Sequence, residues 1–143
     1  PNKSALVAAL IDRDHAVLAD ALEAMLAGPP RGTLRDTLQD LAHLLIDQQY
    51  GDPIYAAALD HEERRLPITS QARQADRRFA AAAQALIARH RDEISPTLPA
   101  GAPQDLPAIA RAIVEADSQS GRKPPADLQA RIVRALLGYL TLQ

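Results

Sequence analysis

The sequence contains no cysteine and no tryptophan, and only one phenylalanine, one methionine and three tyrosines among its 143 residues. Without thiols there are no disulfides, no thiolate metal sites and no cysteine nucleophile, and a reducing, cytoplasmic setting is compatible. Aromatic side chains are scarce while alanine makes up roughly a fifth of the chain, so the apolar mass favours helix over strand. None of the six glycines has the GxGxxG or GxxxxGK spacing that brings backbone amides to a phosphate. The GxSxG elbow and the HExxH zinc motif are also missing. The longest apolar stretches, Ala80 to Ala83 and Leu136 to Leu142, fall far short of the ~20 residues of a membrane span. No signal-peptide pattern opens the chain, and no membrane partner is expected. A basic excess is lacking as well: the formal net charge is -2, so these residues are not expected to be the ones that touch nucleic-acid phosphates.

What is present suits a soluble globular domain. The chain is 47% hydrophobic and 24% charged, and its length is that of one domain, taken here as residues 1–143. Proline and glycine clusters separate segments with a 3.6-residue apolar period, which predicts an all-α antiparallel bundle of about six helices. The first spans about Ser4 to Ala27 behind an Asn2 cap and stops at Gly28-Pro29-Pro30. The second starts at a Thr33/Asp36 capping box, carries Leu34, Leu38, Leu41 and Leu45 in a narrow stripe, and ends at Gly51. Asp52-Pro53 opens a short third helix that Pro67 closes. The fourth runs from Thr69 or Ser70 to Ile94, with Ala72, Ala75, Phe79, Ala83, Leu86, His90 and Ile94 on one face. Asp105 is predicted to cap a fifth helix with Pro107 in its first turn and Ile109, Ile113 and Val114 along it, broken between Ser118 and Pro125. The last helix runs from Pro125 to the C-terminus. Its apolar residues Leu128, Ile132, Val133, Leu136, Leu137, Tyr139 and Leu140 cover more than half its circumference, which asks for burial on two sides.

Few side chains suggest chemistry. Asp12 with His15, and Asp40 with His43, set a carboxylate and an imidazole three residues apart on a helix, a spacing used by metal-binding bundles. His43, however, lies opposite the leucine stripe beside Asp36, Asp40 and Asp47, where a solvated face is the plainer reading. Asp14 sits between the Leu10 and Leu18 rows and needs either an arginine partner or a polar ligand group. His90 follows Phe79 and Leu86 on an apolar face, either as a core-edge histidine bonded to a backbone carbonyl or as a ligand contact. The segment from Asp52 to Arg65 gathers Tyr55, His61, Glu62 and Glu63 in a short helix, which suits either a ligand gate or a charged surface paired with Arg64 and Arg65.

The opening residues Pro1-Asn2-Lys3-Ser4-Ala5-Leu6-Val7-Ala8-Ala9-Leu10 resemble the junction of TetR-family transcriptional regulators, where a helix-turn-helix domain gives way to an Asn-Lys-x-x-Leu helix start. Pro1 stands where an intact chain has Met, as expected of a piece whose DNA reader is missing, with residues 1–10 as the junction. The layout of helices up to Gly138-Tyr139-Leu140 is similar to the family's C-terminal regulatory domain.

That resemblance implies a homodimer in which the last two helices pair across a two-fold axis, with Ile109, Ile113, Leu128, Ile132, Leu136, Tyr139 and Leu140 at the interface. It also implies a pocket for a small-molecule effector lined by Asp14, Leu18, Leu22, Met25, Leu41, Leu45, Tyr55, Leu59, Glu62, Phe79, Ala83 and Leu86. No catalytic residue, cofactor or metal is implied, and operator DNA is reached only through the absent domain. Repression relieved by a ligand is the expected direction. The alternatives from other classes are a helical-bundle metal protein or enzyme using Asp12, His15, Asp40, His43 and His61, and a helical interaction module without a small-molecule site.

Overall fold

The computed structural model describes residues 2–67, 70–118 and 123–142. Pro1, Thr69 and the stretch 119–122 of the predicted break lie outside the described residues. Among the described residues there are six α-helices and no strand: α1 (Lys3–Ala27), α2 (Leu34–Tyr50), α3 (Pro53–Glu63), α4 (Ser70–Arg89), α5 (Ala102–Ser118) and α6 (Leu128–Thr141). The local signals act as physical chemistry requires. The Asn2 side chain accepts from the Ala5 amide at 2.8 Å, and Thr33 and Asp36 form a reciprocal capping box. Asp52 caps the Tyr55 amide at 3.0 Å, with Pro53 behind it in the first turn.

Three boundaries differ from the sequence reading: α6 opens at Leu128 rather than at Pro125, and the other two involve tertiary contacts. Helix α4 ends at Arg89 rather than at Ile94; a short 3₁₀ turn over Arg91–Glu93 follows it. That turn brings the Glu93 carboxylate onto the Leu34 amide at the start of α2, at 2.9 and 3.0 Å. Helix α5 begins at Ala102, so Pro107 sits a turn deeper than expected. Asp105, freed from capping, accepts the Tyr139 hydroxyl of α6 instead.

Helix α1 lies along α4, with α3 and α2 also against it; α4 leads on to α5, and α6 packs on both α2 and α5. Arg78 of α4 clamps α1 through Asp20 and both oxygens of Glu23. Arg89 donates to the Leu26 carbonyl at 2.7 Å, answering one of the open carbonyls at the C-terminal end of α1. His90 is buried, with Nε2 2.8 Å from the Thr37 hydroxyl and Nδ1 3.0 Å from Glu93. Side chains, not the anticipated backbone carbonyl, satisfy it.

The core is built on Leu34, Leu38, Leu86, Leu128, Ile132, Leu136 and Leu140, all almost wholly withdrawn from water. This corrects the expectation for α6. Its wide apolar arc does require two burial surfaces, and α2 and α5 of the same chain supply both. Leu128, Ile132, Leu136 and Leu140 therefore have no surface to offer a partner. Ile109, Ile113 and Tyr139, with Leu137, are only partly buried and do reach the outer face. No helix among the described residues is long and apolar enough to cross a membrane.

Candidate functional site

A cavity of about 520 Å³ lies between the helices. Its apolar wall is built by helical stripes. Ile11, Leu18, Leu22 and Leu26 come from α1, Leu38, Leu41 and Leu45 from α2, and Phe79, Ala83 and Leu86 from α4. Leu106, Ala110 and Val114 of α5 and Leu136 of α6 close the far side. Spacings of three and four residues keep each set on one helix face. The alanines of α4 matter because a small side chain leaves space where a leucine would fill it.

One end of this cavity is polar and connects elements by charge. Glu63 of α3 holds Arg111 of α5 and lies 3.4 Å from His15 Nε2 of α1. Arg111 also pairs with Glu115. Asp60, one turn before Glu63, accepts from the Gln49 amide at 2.9 Å, and the same nitrogen lies 3.2 Å from the Ser118 hydroxyl. Burial raises the Asp60 pKa; the Gln49 hydrogen bond pulls the other way, and the nearby Glu115 charge adds to the rise. Burial works against the Arg111 charge, yet its carboxylate partners Glu115 and Glu63 hold its pKa above the ordinary arginine value. His15 meets Phe79 edge-on at 6.0 Å between ring centroids, and its Nδ1 is buried without a hydrogen-bond partner among the described residues.

A second, outer recess of about 320 Å³ shares Ile11, His15, Asp60, Glu63, Asp76, Arg111 and Glu115 with the cavity. The polar group is thus a partition between an apolar interior and a recess formed with Asp12, Arg64 and Leu66.

Of the twelve residues expected on a pocket wall, Asp14, Leu18, Leu22, Leu41, Leu45, Leu59, Phe79, Ala83 and Leu86 line this cavity. Met25, Tyr55 and Glu62 do not, and helical phase explains each. The wall position that follows Leu22 is Leu26, four residues on. On α3 the wall is Ala56, Leu59, Asp60 and Glu63, so Tyr55 and Glu62 are each rotated by about 100° from it. Tyr55 instead accepts from Arg13 at 3.1 Å, and Arg13 is also the arginine nearest Asp14, at 3.4 Å.

The sequence reading missed the contribution of α5. Its signal was legible in Leu106, Ala110 and Val114 at four-residue spacing, with Arg111 and Glu115 paired alongside.

The histidine and aspartate pairs do not converge. His43 is exposed beside Asp47, Asp40 and His61 are exposed, and Asp12 and His15 face the outer recess. Among the described residues no three His, Asp or Glu side chains are placed to hold a metal ion.

Comparison with known proteins gives one result. The family described as "Tetracyclin repressor-like, C-terminal domain" matches residues 33–140, which spans α2 through nearly all of α6. No curated protein and no solved structure matches the chain. The match covers well over half of the sequence, and the all-helical architecture agrees with it: the chain belongs to the tetracyclin repressor-like family, through that family's C-terminal regulatory domain.

Proposed function

We propose that residues 1–143 form one effector-binding and dimerising regulatory domain of a TetR-like transcriptional repressor. The carrying observation is the cavity of about 520 Å³, a volume suited to a drug-sized molecule, with apolar walls and polar groups gathered at one end. The wall residues named above are the proposed ligand contacts, joined by Asp60, Glu63 and Arg111.

The coupling runs through α1. Two polar contacts tie α1 to α3, His15 to Glu63 and Arg13 to Tyr55, and both sit beside the cavity's polar end. An effector that engages Glu63 competes with the first contact and favours an arrangement in which α1 has turned relative to α3. A DNA reader ahead of α1 would then change its spacing on the operator, and repression would be relieved.

Dimerisation uses the outer faces of α5 and α6. Gly138 supports this placement: a Cβ added there would meet nothing within 4 Å in the chain itself. A glycine inside a helix costs about 1 kcal/mol against alanine, so an exposed one without an internal reason fits close approach of a second helix. Ile109, Ile113, Leu137 and Tyr139 supply apolar area around it.

Native mass spectrometry of the purified chain tests the reading in one spectrum. A dimer that takes up small organic molecules at one per chain is the expected result. A monomer at micromolar concentration that retains and takes up nothing would overturn it.

A further inference from the structure

The wall of the cavity is unbalanced in charge. It carries five carboxylates, on Asp14, Asp60, Glu63, Asp76 and Glu115, against a single guanidinium, on Arg111, and the His15 imidazole. Arg111 is already shared between Glu63 and Glu115. Asp60 has no cation within ion-pairing distance among the described residues, and its side-chain partner is the neutral Gln49 amide. The Arg111 charge favours the ionised Asp60 without forming an ion pair with it, and burial is the larger influence, so the carboxylate still costs free energy where it is ionised. Asp60 borders both the outer recess and the cavity, whose remaining wall is mostly apolar.

From this arrangement we propose that the effector is an amphipathic organic cation: its apolar body fills the space between α1, α2, α4 and α5, and its ammonium group is held by Asp60 and Glu63. The proposal rests on the cavity being the effector site. An anionic ligand would bring its charge to five carboxylates whose basic neighbours are already engaged, Arg111 by Glu63 and Glu115, His15 by Glu63 and Arg13 by Asp14. A neutral ligand would leave Asp60 without an ion-pair partner of its own. A cation supplies the missing partner, and charge-assisted hydrogen bonds to two carboxylates orient it with its head at the partition and its tail inward. The same placement draws Glu63 away from Arg111 and His15, which links the ligand's charge to the contact between α1 and α3.

Three fluorescent probes with one apolar body and different heads provide the test: pyrenemethylamine, pyrenemethanol and pyrenecarboxylate. The absence of tryptophan leaves their emission clear of the protein's own. Titration of the full chain at neutral pH should show the amine bound about tenfold more tightly than the alcohol, with the carboxylate weakest. In Asp60→Asn the ratio of amine to alcohol affinity should fall toward one. Glu63→Gln serves as a second variant, with helical circular dichroism checking that each is folded. Binding of all three probes at one per chain without a preference for the amine would overturn the cation assignment and leave the cavity reading intact. Failure of all three to bind would overturn both.

Discussion

Replacement of Ala83 by leucine asks directly whether the space between the helices is open. Ala83 is buried on α4, lines the cavity and belongs to the same cluster as Leu86. The substitution adds three carbons, and full burial of each carbon contributes about 0.8 kcal/mol, or roughly 2.4 kcal/mol together. Ordering the leucine side chain costs about 0.5–1 kcal/mol. The change in helix propensity costs a few tenths more. The expected outcome is a gain of about 1–1.5 kcal/mol, which for a chain of this size raises the melting temperature by roughly 3–5 °C. Urea unfolding followed by circular dichroism at the helical band measures it. If the helices instead close on Ala83, the same leucine overpacks the core and costs about 1–3 kcal/mol. The sign of the change is therefore the result, and destabilisation beyond about 1 kcal/mol would refute the open cavity at this point. A stabilised variant should in addition bind the pyrene probes more weakly, because its side chain occupies part of their volume.

Three other perturbations have definite signs. Asp60 is a carboxyl whose folded pKa is raised, so it penalises the folded state where it is ionised. Asp60→Asn should stabilise the empty protein at neutral pH, and the advantage should vanish as pH falls from the raised value to the ordinary carboxylate range; equal stability of both proteins across that range would show that Asp60 bears no cost. Glu93 is the opposite case: its pKa is lowered, first by the Leu34 amide and then by His90, so its contribution is present above the ordinary glutamate value and is lost as pH falls through the depressed one. Acid titration of Glu93→Gln should show a shallower loss of stability in that window, and an unchanged acid limb would remove the clamp between α2 and the turn after α4 from the account. Gly138→Glu should convert the proposed dimer to a monomer in analytical ultracentrifugation while its helical signal is kept or raised, since a Cβ at this position meets nothing within 4 Å in its own chain; a dimer of undiminished strength would place the interface elsewhere.

The helices were legible in the sequence because their ends are set by local chemistry. Asn2, the Thr33/Asp36 box and Asp52-Pro53 each satisfy or remove amides within four residues, and no distant contact is needed to place them. The end of α4 moved because its partner is distant: the turn after α4 exists where Glu93 meets Leu34, 59 residues away. The apolar stripes likewise indicated which helix faces turn inward. They did not fix phase to within one position, and an error of one position separates Leu26 from Met25 and Glu63 from Glu62 on the cavity wall. The width of the α6 arc carried a true requirement for two burial surfaces, but sequence cannot say whether the second belongs to the same chain. The charged partition was the least legible part. Asp60, Glu63 and Arg111 look like ordinary surface residues in their own helices, and only the packing of α3 and α5 brings them to one place.

The position of that partition along α1 bears on how a small displacement could be read. Helix α1 spans 25 residues, and its first residues, up to Leu6, are exposed beyond the bundle, with Leu6 itself 61% accessible. His15, the residue of α1 in contact with Glu63, lies twelve residues from the helix start, which is roughly 18 Å at 1.5 Å per residue. A tilt of about 5° pivoting there carries the start of α1 by roughly 1.6 Å, and in a two-fold dimer the two displacements add where they point apart. Below the pivot α1 is held by Arg78, through Asp20 and Glu23, and by Arg89 at Leu26, so the C-terminal half is clamped to α4, whereas ahead of His15 its polar tie to α3 is Arg13 with Tyr55. On the proposed reading, a ligand cation that breaks the His15 contact with Glu63 loosens α1 next to its clamped half and leaves Arg13 with Tyr55 as the polar tie to α3. A cost of the order of a single hydrogen bond, about 1 kcal/mol, is enough there to shift the preferred orientation of the first turns of α1.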